Sequence, residues 1–180
     1  MNRYLALIRG INVGGKSRVS MSELKVELEK ATFSDVFTYI NSGNILFSST
    51  EADLVKLVSK FERILKKHFD VETYVSVVSV DEFRKAVDHA PAWWGKNTAT
   101  VHNNAMVVIA PASADEIIKD VGEPRSEYEK VDSYGHLIFW SAPLTTYGRT
   151  KWSKIVGTPS YKKVTIRNSN TIRKLYDLAG

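Results

Sequence analysis

The sequence predicts an α+β protein made of two successive β-α-β-β-α-β units. Three observations point there. Apolar runs of strand length alternate with segments whose apolar residues recur at helical spacing. In each half, tight-turn chemistry separates two strand-like runs, Asn41-Ser42-Gly43-Asn44 in the first and Ser133-Tyr134-Gly135 in the second. Such turns make antiparallel hairpins. Several helix starts also carry a hydroxyl residue followed three positions later by an acid.

The elements follow in order. Tyr4-Leu5-Ala6-Leu7-Ile8 reads as a buried strand. After the glycine-bearing stretch Gly10–Ser17, Ser20 and Glu23 form a capping box, and Val19 and Leu24 sit at the staple positions. Met21, Leu24, Leu28 and Ala31 share one helical face. Val36–Ile40 and Ile45–Phe47 are the arms of the first hairpin. Thr50 with Asp53 is expected to cap a second helix, striped by Leu54, Leu57, Phe61, Ile64 and Leu65. Val71, Thr73, Val75 and Val77 alternate as a fourth strand. This order is the split unit of ferredoxin-like folds.

Ser79 and Glu82 open a short helix to about Ala90, and Pro91–Asn103 is polar and irregular apart from Trp93-Trp94. The expected division is therefore residues 1–90 and 104–180, two tandem ferredoxin-like units. In the second, Ala105–Ile109 is a strand, and Ser113 with Glu116 caps a helix that ends before Gly122. Glu127–Val131 and Leu137–Trp140 form a hairpin. A basic helix is expected over about Thr150–Val156, stopped by Gly157 and Pro159. Lys163–Ile166 is the last strand and Asn170–Leu178 the last helix. The element order repeats, but the residues do not.

Composition narrows the function classes. The chain has 180 residues and no cysteine, so disulfides and thiolate chemistry are excluded and a reducing, cytoplasmic location is expected. No apolar run reaches the ~20 residues of a membrane helix, and the start does not read as a signal peptide. The four histidines have no metal-ligand spacing, so neither a metal site nor a cofactor is expected. The net charge is +5, but residues 149–174 hold eight basic residues and no acid. The basic character belongs to that late segment, which favours anionic partners.

Gly10–Ser17 spells G-x-x-x-x-G-K-S, the phosphate-cradling P-loop pattern. Two features argue against a nucleotide hydrolase. Its lysine and hydroxyl should open a helix directly, whereas the capping box starts the helix at Ser20. Its sheet should be parallel, whereas the next two strands form a hairpin. Gly14-Gly15 can still expose N–H groups to an anion, flanked by Arg9 and Lys16, or can simply be a turn needing positive φ.

Arg9-Gly10-Ile11-Asn12-Val13-Gly14-Gly15-Lys16 with Met21, then Tyr39-Ile40-Asn41-Ser42-Gly43-Asn44, then Thr165-Ile166-Arg167-Asn168 with Thr171, resembles the bacterial family called domain of unknown function 1697. The resemblance covers essentially the whole chain. It implies two ferredoxin-like subdomains and no established activity. The glycine loop of that family commonly ends in lysine-asparagine, so Ser17 is a local variant, which further weakens the P-loop reading.

The leading expectation is a cytoplasmic protein that binds a phosphate-bearing small ligand or nucleotide. Arg9, Asn12, Gly14, Gly15 and Lys16 would supply one wall. Lys151, Arg167 and Asn168 would supply another, with Arg167 as a bidentate clamp or Asn168 as a plain N-cap. Asn41, Ser42 and Asn44 are turn formers that could line a polar pocket. Two alternatives stay open. One is a nucleic-acid-binding module using the basic segment with Tyr147, Trp152 and Tyr161. The other is an enzyme acting on a phosphorylated substrate.

Overall fold

The computed structural model describes residues 1–180. The chain divides into two compact units, Met1–Phe83 with Ala179, and Arg84–Leu178 with Gly180. Both are mixed α+β, each around a four-stranded antiparallel sheet.

The first unit runs β1 (Asn2–Ile8), α1 (Met21–Lys30), β2 (Ser34–Tyr39), β3 (Asn44–Ser49), α2 (Leu54–Phe69) and β4 (Val75–Ser79), with the sheet ordered β2-β3-β1-β4. Leu5 sits opposite Leu46 on one side and Val78 on the other. Period-2 alternation puts Tyr4, Ala6, Ile8, Ile45 and Phe47 on one face, where Leu24 and Leu28 of α1 and Leu57, Phe61 and Leu65 of α2 cover them. Phe33, Phe47 and Phe61 meet at 4.9–5.2 Å between ring centres, in tilted and edge arrangements that aromatic quadrupoles favour.

The helix starts follow the local chemistry, with one correction. Ser20 Oγ accepts from Glu23 N. The cap of α2 is Asp53, not Thr50: its carboxylate accepts from Val55 N at 2.9 Å and Lys56 N at 3.3 Å. The strand expected from Val71 begins at Val75. Asp70 takes a left-handed conformation at φ 53°, and Val71 N returns to the Leu65 carbonyl, so these residues close α2 instead.

α3 (Val80–Asp88) spans the division, started by Ser79, whose Oγ meets both Glu82 N and its carboxylate. The second unit continues with β5 (Val101–Val108), α4 (Ala114–Val121), β6 (Lys130–Tyr134), β7 (Leu137–Pro143), β8 (Val164–Asn168) and α5 (Ser169–Ala179), in sheet order β6-β7-β5-β8. Met106, Val108, Ile138 and Trp140 pack on Ile117 and Val121 of α4 and on Trp152 and Ile155. Residues 91–100 are irregular yet anchored. Buried Trp94 donates its Nε1 hydrogen to the Asn104 carbonyl at 2.8 Å, and the Asn103 amide bonds Gly95 N and the Lys96 carbonyl.

The basic helix expected over Thr150–Val156 does not form as an α-helix. Three 3₁₀ turns, Leu144–Arg149, Trp152–Gly157 and Pro159–Lys163, fill the connection from β7 to β8. Gly148, Gly157 and Pro159 interrupt any longer helix. The buried Glu129 carboxylate also takes the N–H groups of Lys151 and Trp152, fixing the start of the middle turn. No helix is long and apolar enough to cross a membrane.

Candidate functional site

The glycine stretch is a small closed turn. Val13 and Lys16 pair as an antiparallel bridge, and Lys16 N donates to the Val13 carbonyl at 3.1 Å. Gly14 and Gly15 lie between them with φ of 58° and 75°. Two central residues of positive φ are what a type I′ hairpin turn requires, and they explain both glycines. Asn12 N donates to the Ser17 carbonyl, which closes the base of the turn. Helix α1 begins only at Met21, and β1 has antiparallel neighbours on both sides. The stretch spells a P-loop but is not built as one.

Asn12 fastens this turn to its surroundings. Its Nδ2 donates to the carbonyls of Val19 and Asn41 at 2.9 and 2.8 Å, and its Oδ1 accepts from Val19 N at 2.8 Å. The glycine turn, the β2–β3 turn and the start of α1 thereby converge around an open cleft of about 520 Å³. Asn12, Gly15 and Asn41 line it, together with Arg18, Ser20 and Ser22. Arg18 is exposed, and its guanidinium makes no hydrogen bond or ion pair within the protein.

The other expected residues of this unit occupy three settings. Gly14 and Lys16 are exposed on the turn. Arg9 is half-buried, with N–H donated to the Tyr74 carbonyl and its own carbonyl accepting from the Thr73 hydroxyl. Asn44 is fully buried, and its Nδ2 donates to the Tyr39 carbonyl and to Ser42 Oγ, closing the β2–β3 turn from inside.

In the second unit the expected residues occupy three different settings. Lys151 is exposed at the start of the middle 3₁₀ turn. Arg167 is buried on β8, where its Nη1 donates to Thr165 Oγ1 at 2.8 Å and to the Ile166 carbonyl at 3.0 Å. Burial pushes its guanidinium down to about 10, still charged at neutral pH. Asn168 caps α5, with Oδ1 accepting from Thr171 N at 2.8 Å.

The family described as a protein of unknown function, DUF1697, matches residues 1–139. The chain belongs to that family. The solved structure of a conserved bacterial protein from Streptococcus pneumoniae is similar to this DUF1697 chain at 32% identity, covers 99% of each chain and superposes with a TM-score of 0.87. No curated protein matches the sequence.

The first two motifs of this DUF1697 chain, Arg9–Lys16 and Tyr39–Asn44, meet through the Asn12–Asn41 bond. The third, Thr165–Asn168, lies beyond the matched residues but within the span of the structural likeness. Sequence reasoning ends the candidate wall at Lys16 and so omits Arg18, Ser20 and Ser22. The signal was present: a cap at Ser20 implies free N–H groups just after it, and Arg18 precedes it by two residues.

Proposed function

We propose that the first unit binds a phosphate-bearing small molecule or nucleotide in the cleft at the start of α1. The observation that carries this is the Arg18 guanidinium, unpaired in the protein and lining the same cleft as the Ser20 and Ser22 side chains. Arg offers a planar fork of donors suited to phosphate oxygens. Met21 N and Ser22 N are the first two N–H groups of α1, which have no partner within a helix, and the helix dipole adds positive potential there. Gly15 exposes backbone to the cleft, and Lys16 adds a nearby charge. Asn12 and Asn44 act as positioning residues, because their amides are engaged by backbone groups and, for Asn44, by Ser42 Oγ as well.

The same proposal takes each unit as ferredoxin-like. Its support is the sheet orders β2-β3-β1-β4 and β6-β7-β5-β8 with antiparallel pairing throughout, 3₁₀ turns standing in for the second helix of the second unit.

A thermal-shift series tests the binding, with inorganic phosphate, nucleotides and sugar phosphates. A ligand at 100 times its Kd stabilises by about 2.7 kcal/mol, a shift of roughly 5–10 °C for a chain of this length. The expected result is such a shift from one phosphate ligand, abolished in Arg18→Ala. No shift from any of them at millimolar concentration overturns the proposal.

A further inference from the structure

The 3₁₀ connection of the second unit has a two-sided design. A 3₁₀ helix repeats every three residues, so positions three apart eclipse. Trp152 and Ile155 form one such row, and both are buried. Lys151 and Lys154 form another, and both are exposed. Lys154 N bonds the Lys151 carbonyl, which places the two lysines one turn, roughly 6 Å, apart. Arg149 and Lys162, also exposed, add positive charge from the 3₁₀ turns before and after, the Arg149 guanidinium lying 5.6 Å from the centre of the Tyr128 ring.

The row is held rigidly from beneath. Trp152 Nε1 donates to the Gly122 carbonyl at 3.1 Å, and buried Ser160 donates to Asp120 at 2.8 Å. Its charge is not neutralised locally. Glu129 is turned inward onto N–H groups, Asp120 and Glu116 are engaged by Lys163, and exposed Glu123 and Glu127 make no ion pair with these cations. Tyr147 and Tyr161, half-exposed, pack against the core beneath the connection, where the Tyr147 ring meets Trp140 and His102.

We propose that this 3₁₀ connection is a binding surface for single-stranded nucleic acid, distinct from the phosphate cleft of the first unit. Lys151, Lys154, Arg149 and Lys162 contact its phosphates. A single strand fits better than a duplex, because the positive row carries no α-helix to enter a major groove.

The test is fluorescence anisotropy with a labelled twelve-nucleotide RNA and the matching DNA, alone and as duplexes. Four phosphate contacts on a single strand give a log–log salt slope of about −2.8, or roughly a fifty-fold loss of affinity between 50 and 200 mM salt. The double variant Lys151→Ala, Lys154→Ala is expected to bind at least tenfold more weakly and to lower the slope by about 1.4. The double variant Lys151→Arg, Lys154→Arg is expected to retain binding. Arg18→Ala is expected to leave strand binding unchanged, which keeps this test separate from that of the cleft. The proposal is overturned by no binding at 50 mM salt, or by equal affinity in the alanine double variant. Equal or tighter binding to duplex or to phosphatidylserine vesicles also overturns it and assigns the row to another anionic surface.

Discussion

Asn12 Nδ2 donates to the carbonyl of Asn41 at 2.8 Å, and this bond joins two turns that lie 29 residues apart in the chain. The same amide also bonds both backbone groups of Val19, so its three contacts fix the walls of the cleft relative to α1. Asn12 sits at φ 57°, a left-handed conformation that asparagine tolerates better than alanine. Asn12→Ala is therefore expected to cost about 2–4 kcal/mol, summing the lost hydrogen bonds and the backbone preference. Asn12→Asp keeps the acceptor for Val19 N but sets a carboxylate against two carbonyls, so no rescue is expected. Urea unfolding of both variants checks this; an Asn12→Ala protein within about 0.5 kcal/mol of the parent contradicts it.

Two glycines of positive φ separate backbone preference from steric need. A Cβ on Gly14, at φ 58°, meets nothing within 4 Å. Gly14→Ala should cost only the left-handed penalty, about 1 kcal/mol. A Cβ on Gly43, at φ 80°, lies 2.8 Å from Ile11 Cδ1 and 2.9 Å from Ile8 Cβ, inside the core. Gly43→Ala should cost about 2–4 kcal/mol, since overpacking adds to the same penalty. Thermal unfolding ranks the two, and the reverse order would show that the glycine turn is packed more tightly than its open surroundings indicate.

Glu129 is buried at 3% exposure and collects four N–H groups. Oε1 accepts from Arg125 N and Lys151 N at 3.0 and 2.7 Å, and Oε2 from Trp152 N and Trp140 Nε1 at 3.1 and 3.0 Å. Truncation leaves all four donors without an acceptor. Glu129→Ala is expected to destabilise by about 3–5 kcal/mol, and Glu129→Gln by less, because its amide oxygen retains part of the acceptor set. Near-ultraviolet circular dichroism should register the loss, since Trp140 and Trp152 both contact this carboxylate. An Ala variant with unchanged stability and an unchanged aromatic spectrum would remove Glu129 from this role.

What was legible in the sequence was local. Ser20, Ser79 and Ser113 each accept from the N–H three residues on, because a cap needs only neighbouring backbone. The two hairpins were legible for the same reason, through Gly43 and Gly135. Where a distant group decides, the pattern misled. Thr150–Val156 reads as an α-helix from its own residues and folds as a 3₁₀ turn, and nothing local shows that Glu129, 22 positions earlier than Lys151, accepts the N–H groups that start it. The cleft lay in between: the cap at Ser20 was readable, yet only the Asn12–Asn41 bond reveals that the β2–β3 turn meets the glycine turn there. The letters of the P-loop could not show that Val13 and Lys16 pair across Gly14-Gly15.

The last prediction concerns pH. Lys163 Nζ lies 2.6 Å from Glu116 Oε1 and 3.9 Å from Asp120. The hydrogen bond and charge of Lys163 hold the Glu116 carboxyl below the usual glutamate range, and Glu116 in turn raises the Lys163 ammonium. For the carboxylate, the unfolded chain binds its proton at higher pH than the folded one. Its contribution to stability is thus present above the ordinary glutamate range and is lost as pH falls through the lower, folded value. For the lysine the sense is opposite: the contribution is present below its ordinary value and is lost as pH rises through the raised one. Lys163→Met removes the partner, so the Glu116 titration followed by NMR should move up toward the ordinary value, and the acid limb of the stability curve should flatten. Both side chains are solvent-accessible, so salt should produce part of the same upward move in the parent protein. A Glu116 midpoint that is identical in parent and variant would mean that the pair does not persist in solution.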